Sequence, residues 1–256
     1  MQLSDLEKID KKKMFETYDK WPEIARDSFD QKFEKFDIKN IDHIVFAGMG
    51  GSGSVGDVLS AILSKENIHV NNTKGYLLPK TVDQNSLVVA MSVSGDTQET
   101  LSILADAKKS KAKVVAFSSG GKMQDFCLKN NIFFQNLLME HSPRASFTRY
   151  LFSILNILEQ IIPIKKTDVN QAIFDTKNIQ SRISSSNLEK GNESLELAKW
   201  IKNNPLIYYP GGLEAPAVRC KNSFQENSKL HAFVEEVFES CHNGIMSWER
   251  QTPIQP

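Results

Sequence analysis

The chain has 256 residues, 40% of them apolar and 24% charged, enough to bury a sizeable core in one large or two smaller domains. Lys and Arg total 31, as do Asp and Glu, so no global charge argues for nucleic acid or a membrane surface as partner. Cys127, Cys220 and Cys241 lack metal-site spacing, the start at Met1 to Asp5 is charged rather than a signal peptide, and no apolar run approaches the length of a membrane span, so the expectation is a cytoplasmic protein with reduced thiols.

Residues 3 to 36 read as helices, with Pro22 suited to a first helical turn and Lys11 to Lys13 forming a solvated face. The apolar run His43 to Phe46 then meets Gly48, Gly50, Gly51 and Gly53, followed by Val55, Val58, Leu59 and Leu63 at helical spacing. This is a strand, a glycine turn and a helix start. Unpaired N–H groups in a first helical turn, together with the helix dipole, attract an anion. Ser52 adds a hydroxyl, so the turn reads as a seat for a phosphate or a phosphorylated small molecule. Gly48, Gly50 and Gly53 also fit the G-x-G-x-x-G of a nicotinamide dinucleotide site. That reading needs an acid about 20 residues on. Ile68 to Thr73 holds none, and Lys74 stands alone as a candidate for a 2′-phosphate.

Next come a short strand near Ile68 to Val70, a turn-rich link through Gly75 and Pro79, and a buried strand Ser86 to Met91. A helix through Leu101 to Ala107, a strand Lys113 to Ser118, a short helix Lys122 to Lys129 and a strand Ile132 to Phe134 follow. The alternation predicts an α/β fold with parallel strands and helices on both faces. Arg144 to Ile161, Asp168 to Ser184 and Leu188 to Asn203 read as helices, and this block is the natural seam. Beyond it Leu206 to Tyr209, the Gly211–Gly212 turn and a helix Val218 to Asn227 repeat the opening pattern. The expected division is residues 1–160 for the helices and first α/β domain, 161–203 for a helical connection and 204–256 for a second, incomplete domain.

The turn Ser92 to Thr100 places Ser92, Ser94 and Thr97 around Gly95 at the carboxyl end of a buried strand. Helix capping explains one of these hydroxyls but not three. Two such turns in one sheet are what open α/β sheets use to bind ligands at their carboxyl edge, and neutral donors suit a phosphate dianion.

Gly48 to Gly53 together with Ser92 to Thr97 resembles the sugar isomerase (SIS) fold. Ser142-Pro143-Arg144-Ala145, Gln225-Glu226-Asn227-Ser228-Lys229 and Cys241-His242-Asn243 narrow the resemblance to the bifunctional phosphoglucose/phosphomannose isomerase family, in order and over nearly the whole chain. The resemblance implies two SIS-type domains with an active site between them. It also implies a homodimer whose histidine is supplied across the subunit interface. Gly51, Ser52, Ser92, Ser94 and Thr97 would hold the sugar phosphate. Glu226 would be the general base, His242 the ring-opening histidine and Arg144 the cation beside the reacting carbons. Asp96 departs from the family, which usually has Asn there. Such an acid fits only if its side chain turns away as a cap.

Aldose–ketose isomerisation asks for these residue types independently. A carboxylate moves a proton between adjacent carbons, an Arg stabilises the developing oxyanion, and a His near neutral pH opens the hemiacetal. The reaction needs no metal and no cofactor. The implied substrates are glucose 6-phosphate and fructose 6-phosphate, with mannose 6-phosphate as a second aldose. Two other classes remain open: a non-catalytic SIS module that senses a phosphosugar, and a nicotinamide oxidoreductase. His43, His69, His141 and His231 are assigned to structure. The polar tail Gln251 to Pro256 comes where the family continues with a further segment carrying a lysine. The expectation is therefore a chain that binds phosphosugar but isomerises it poorly by itself.

Overall fold

The computed structural model describes residues 1–34, 36, 38–189 and 191–249. Arg250 and the tail from Gln251 to Pro256, on which the last expectation rests, lie outside the described residues. The chain divides into two compact units, Met1–Glu193 and Ser194–Pro256. Among the described residues, no helix is long and apolar enough to cross a membrane.

The first unit opens with α1 (Leu3–Ile9), α2 (Met14–Asp19) and α3 (Trp21–Asp30). Pro22 lies in the first turn of α3, where a missing N–H removes no intrahelical bond. Then come β1 (His43–Ala47), α4 (Gly50–Leu63), β2 (His69–Thr73), β3 (Ser86–Met91), α5 (Gln98–Lys109), β4 (Lys113–Ser118), α6 (Gly121–Asn130) and β5 (Phe133–Asn136). The strands are parallel in the order β2-β1-β3-β4-β5. Every residue of β1 and β3 is buried, as near-continuous apolar strands in a sheet covered on both faces must be. Successive side chains point to opposite faces. Ile44, Phe46, Leu87, Val89 and Met91 meet Val55, Leu59 and Leu63 of α4, whereas Val45, Ala47 and Val88 meet Ile103 and Ala107 of α5.

A 3₁₀ turn (Pro143–Ser146), α7 (Phe147–Ile157) and α8 (Lys166–Ile183) complete this unit. The stretch from Arg144 to Ile161 is therefore a tight turn followed by a helix rather than one helix. Tyr150 and Ile154 of α7 and Val169 and Ile173 of α8 join the α4 side of the core.

α9 (Glu193–Trp200) begins at the boundary. In the second unit, β6 (Leu206–Tyr209) and β7 (Phe233–Glu236) pair in parallel, Leu206 opposite Phe233 and Tyr209 opposite Glu236. α10 (Glu214–Ser223) connects them, and its last residues run on into a π-helical turn, Phe224–Ser228. α10 starts earlier than the apolar pattern suggests, because Pro216 falls in its first turn, where an N–H has no intrahelical partner to lose. α11 (Val237–His242) and a 3₁₀ turn (Gly244–Glu249) follow. The Glu236 carboxylate accepts the Glu239 N–H at 2.9 Å and caps α11.

Candidate active site

β1 is flanked by β2 on one side and β3 on the other, so the chain reverses its direction of winding between β1 and β3. Loops leaving the carboxyl ends of two such strands diverge and open a crevice. Ala47 pairs with Ala90, which sets the glycine turn after β1 beside the seryl turn after β3. The contact is close. A Cβ built on Gly48 would stand 3.1 Å from the Met91 carbonyl oxygen and 3.0 Å from Ser52 Cβ. Ser52 sits in the first turn of α4 and is buried.

The seryl turn is bonded within itself. Ser92 Oγ and Thr97 Oγ1 are 2.9 Å apart, and Ser92 Oγ accepts the Gly95 N–H at 3.1 Å. Ser94 Oγ accepts the Asp96 N–H at 3.3 Å. Thr97 occupies the N-cap position of α5 without a side-chain capping bond, so capping does not consume its hydroxyl. The hydrogen count leaves donors over. Ser94 acts as acceptor in its bond and keeps its O–H hydrogen, and the Ser92–Thr97 contact uses one of that pair's two hydrogens. Ser92 is buried and Ser94 is exposed.

A third turn, Ser118 to Gly121 after β4, holds the seryl turn in place. Gly95 has φ +75°, and a Cβ there would fall 1.9 Å from the Gly120 carbonyl oxygen, so only glycine fits. The Val93 carbonyl accepts the Ser119 N–H at 3.0 Å, the Ser119 hydroxyl at 2.7 Å and, more distantly at 3.5 Å, the buried Tyr150 hydroxyl. Met123 N–H donates to the Gly95 carbonyl at 2.9 Å. Asp96 turns away as the cap that its position requires: Oδ1 accepts the Lys122 N–H in the first turn of α6 at 3.1 Å. Sequence reasoning passes over Ser118-Ser119-Gly120-Gly121. Its signal is the same as that of the other two turns, small hydroxyl residues and glycines at the carboxyl end of an apolar strand.

Arg144 reaches the same edge from the 3₁₀ turn. A Cβ on Gly51 would stand 3.3 Å from the Pro143 carbonyl oxygen and 3.6 Å from Arg144 Cα. Its loop is anchored from several directions. Trp21 Nε1 donates to the Ala145 carbonyl at 3.3 Å, and Glu140 N–H donates to Ser146 Oγ at 3.0 Å. The Arg149 guanidinium pairs with Glu140 Oε1 at 2.7 Å and donates to Ser28 Oγ at 3.1 Å. Gly51, Ser52, Ser92, Ser94, Thr97 and Arg144 thus belong to adjoining turns of the first unit.

Glu226 and His242 belong to the second unit. Glu226 lies half-buried in the π-helical turn that leads toward β7, and the Lys229 ammonium donates to its backbone carbonyl at 2.8 Å. π-helical turns interrupt regular helices most often at functional sites. His242 is the last residue of α11 and is exposed. The two therefore occupy the segments that enter and leave β7. Among the described residues, no group of three or more His, Cys, Asp and Glu side chains is placed to hold a metal ion.

Residues 37–128 match the SIS domain family, and residues 190–256 match the bacterial phospho-glucose isomerase C-terminal SIS domain. The chain is 32% identical over 245 residues to a bifunctional phosphoglucose/phosphomannose isomerase of Caldicellulosiruptor bescii, covering 92% of this chain and 72% of that protein. A protein of the same name from Thermoplasma volcanium is 32% identical over 219 residues, covering 84% of this chain and 66% of its own length. In fold, the chain is similar to the C-terminal domain of glucosamine-fructose-6-phosphate aminotransferase from Francisella tularensis. That likeness has a TM-score of 0.65 at 16% identity and covers 91% of this chain and 72% of that one.

Proposed function

The chain belongs to the bifunctional phosphoglucose/phosphomannose isomerase family, and we propose that it interconverts glucose 6-phosphate and fructose 6-phosphate through an enediol, with mannose 6-phosphate as a further aldose. The observation that carries this reading is the approach of the Pro143–Arg144 backbone to Gly51. It brings the chain segment that carries Arg144 beside an anion-attracting helix start, next to a turn with hydroxyl hydrogens to donate. A phosphosugar needs that combination: donors for a dianion at one end and a positive charge near its reacting oxygens.

In this reading, the N–H groups at Gly51 and Ser52 and the hydroxyls of Ser52, Ser92, Ser94 and Thr97 hold the phosphate. His242 donates a proton to the ring oxygen while the O1 hydroxyl loses its own, which opens the hemiacetal. Glu226 removes the proton from C2 of the open aldose and returns it to C1, while the O2 hydroxyl proton passes to O1, so that the C1 carbonyl becomes a hydroxymethyl group and C2 becomes the ketone. Arg144 stabilises the enediolate oxygen that develops between these steps. The residue roles come from the family resemblance. The protein acts in the cytoplasm as a homodimer, with His242 supplied across the subunit interface.

A coupled assay on purified protein, offering fructose 6-phosphate and measuring both aldose phosphates, tests the reaction. Formation of glucose 6-phosphate is expected. Tight phosphosugar binding without any aldose formed would favour a non-catalytic sensor instead, and NAD(P) binding would revive the dinucleotide reading.

A further inference from the structure

Residues Asn72, Thr73 and Lys74, at the exit of β2, grip the glycine turn from the side away from β3. The Thr73 carbonyl accepts the Gly48 N–H at 3.3 Å, and Asn72 Nδ2 donates to the Gly53 carbonyl at 3.2 Å. Both ends of the turn are thereby tied to one three-residue segment. Asn72 Nδ2 also donates to Asp57 Oδ1, and Lys74 Nζ lies 2.7 Å from Asp57 Oδ2. The Lys74 stem crosses the first turn of α4: its Cε would be 3.2 Å from a Cβ on Gly53.

Asp57 follows Gly53 by one helical turn on the same face of α4. Its side chain is only 16% exposed, against 39% for Lys74, so water screens its charge incompletely. A bare carboxylate at that point would oppose the field that draws a phosphate dianion to the helix start. We propose that Lys74 is a positioning and charge-compensating residue for the phosphate seat. It neutralises Asp57 so that the first turn of α4 keeps its full attraction for a phosphate ester. The inference rests on the reading of this edge as a phosphosugar seat. Lys74 acts through Asp57 and Gly53 and need not touch the ligand.

The test is calorimetric titration of fructose 6-phosphate into wild-type protein and into Lys74→Met, Lys74→Arg and the double variant Asp57→Asn/Lys74→Met, with thermal melts to verify folding. Asn at 57 keeps an acceptor for the Asn72 amide while removing the charge. Lys74→Met should weaken binding about three- to tenfold, the size expected for one uncompensated charge near a partly exposed dianion site. In turnover the loss should fall on KM rather than kcat. Lys74→Arg and the double variant should both recover most of the affinity. A purely structural brace would leave the double variant at least as weak as Lys74→Met, and that result would overturn the proposal, as would unchanged affinity in Lys74→Met. Failure of the wild-type protein to bind fructose 6-phosphate would overturn the seat itself. Binding by wild type with no effect of Lys74→Met would overturn only the role of Lys74.

Discussion

The Asp96 carboxylate accepts the backbone N–H of Lys122 at 3.1 Å, which turns the one acid of the Ser92 to Thr97 stretch toward the first turn of α6. A carboxylate is a good partner for a helix start, so the charge is stabilised there while remaining close to the seat. Asn at 96 would keep an acceptor for that N–H and remove the repulsion. Asp96→Asn should therefore tighten fructose 6-phosphate binding about two- to tenfold, the lower figure reflecting solvent screening of an exposed group. Calorimetry showing weaker binding in the variant would mean that the capping bond depends on the charge.

Ser94→Ala removes a hydroxyl that is an acceptor within its own loop and has a hydrogen to give outward. Losing one charge-assisted hydrogen bond to phosphate should cost about 1.5–3 kcal/mol of binding. The melting temperature should barely move, because the side chain is exposed. Unchanged affinity would remove Ser94 from the seat.

Gly95→Ala should be the most damaging of the small substitutions. The left-handed φ of +75° disfavours any side chain, and the added carbon would overlap the Gly120 carbonyl oxygen. A loss of about 3 kcal/mol or more is expected from strain and overpacking together. Gly75→Ala, where a Cβ would meet nothing within 4 Å, is the control and should be close to neutral in chemical denaturation.

Burial pushes the Cys127 thiol up to about 12 from an ordinary value of 9.0. Native Cys127 should resist alkylation at mildly alkaline pH while the exposed Cys241 reacts; Cys220 is exposed as well, but desolvation raises its thiol and should slow its reaction. Linkage gives the sign for stability. Below the unfolded value both states keep the proton, and above it only the unfolded chain gives it up. The stabilising contribution is therefore present below pH 9.0 and is lost as pH rises toward about 12. Alkaline denaturation of Cys127→Ala should show a shallower decline over that window.

Much of the first unit is legible in the sequence, because its signals are local. The strands Ser86–Met91 and Lys113–Ser118 stand out as apolar runs, and the turns after β1 and β3 as glycines and hydroxyls at strand ends. What the sequence leaves dark is contact between distant segments. Nothing near Gly51 announces that Pro143 and Arg144 pack against it, and nothing near Asp57 announces Lys74. Asp96 looks misplaced in a phosphate turn until α6 is seen to begin beside it. The same limit blurs helix ends. The helix expected from Val218 begins at Glu214, with Pro216 in its first turn, and its continuation as a π-helical turn around Glu226 has no periodic signature.

Isomerisation through an enediol is tested most directly by incubating fructose 6-phosphate in deuterium oxide with a stoichiometric amount of the protein and following the sugar carbons by NMR. Stoichiometric protein makes even slow turnover visible. Aldose phosphate should form with deuterium at C2, and deuterium should enter C1 of the ketose as the proton held by the base exchanges with solvent. Glu226→Gln, which keeps the size of the side chain but not its proton acceptor, should bind the sugar and incorporate none. Wild-type protein that binds fructose 6-phosphate yet leaves its carbon-bound hydrogens unexchanged and forms no aldose would contradict the account.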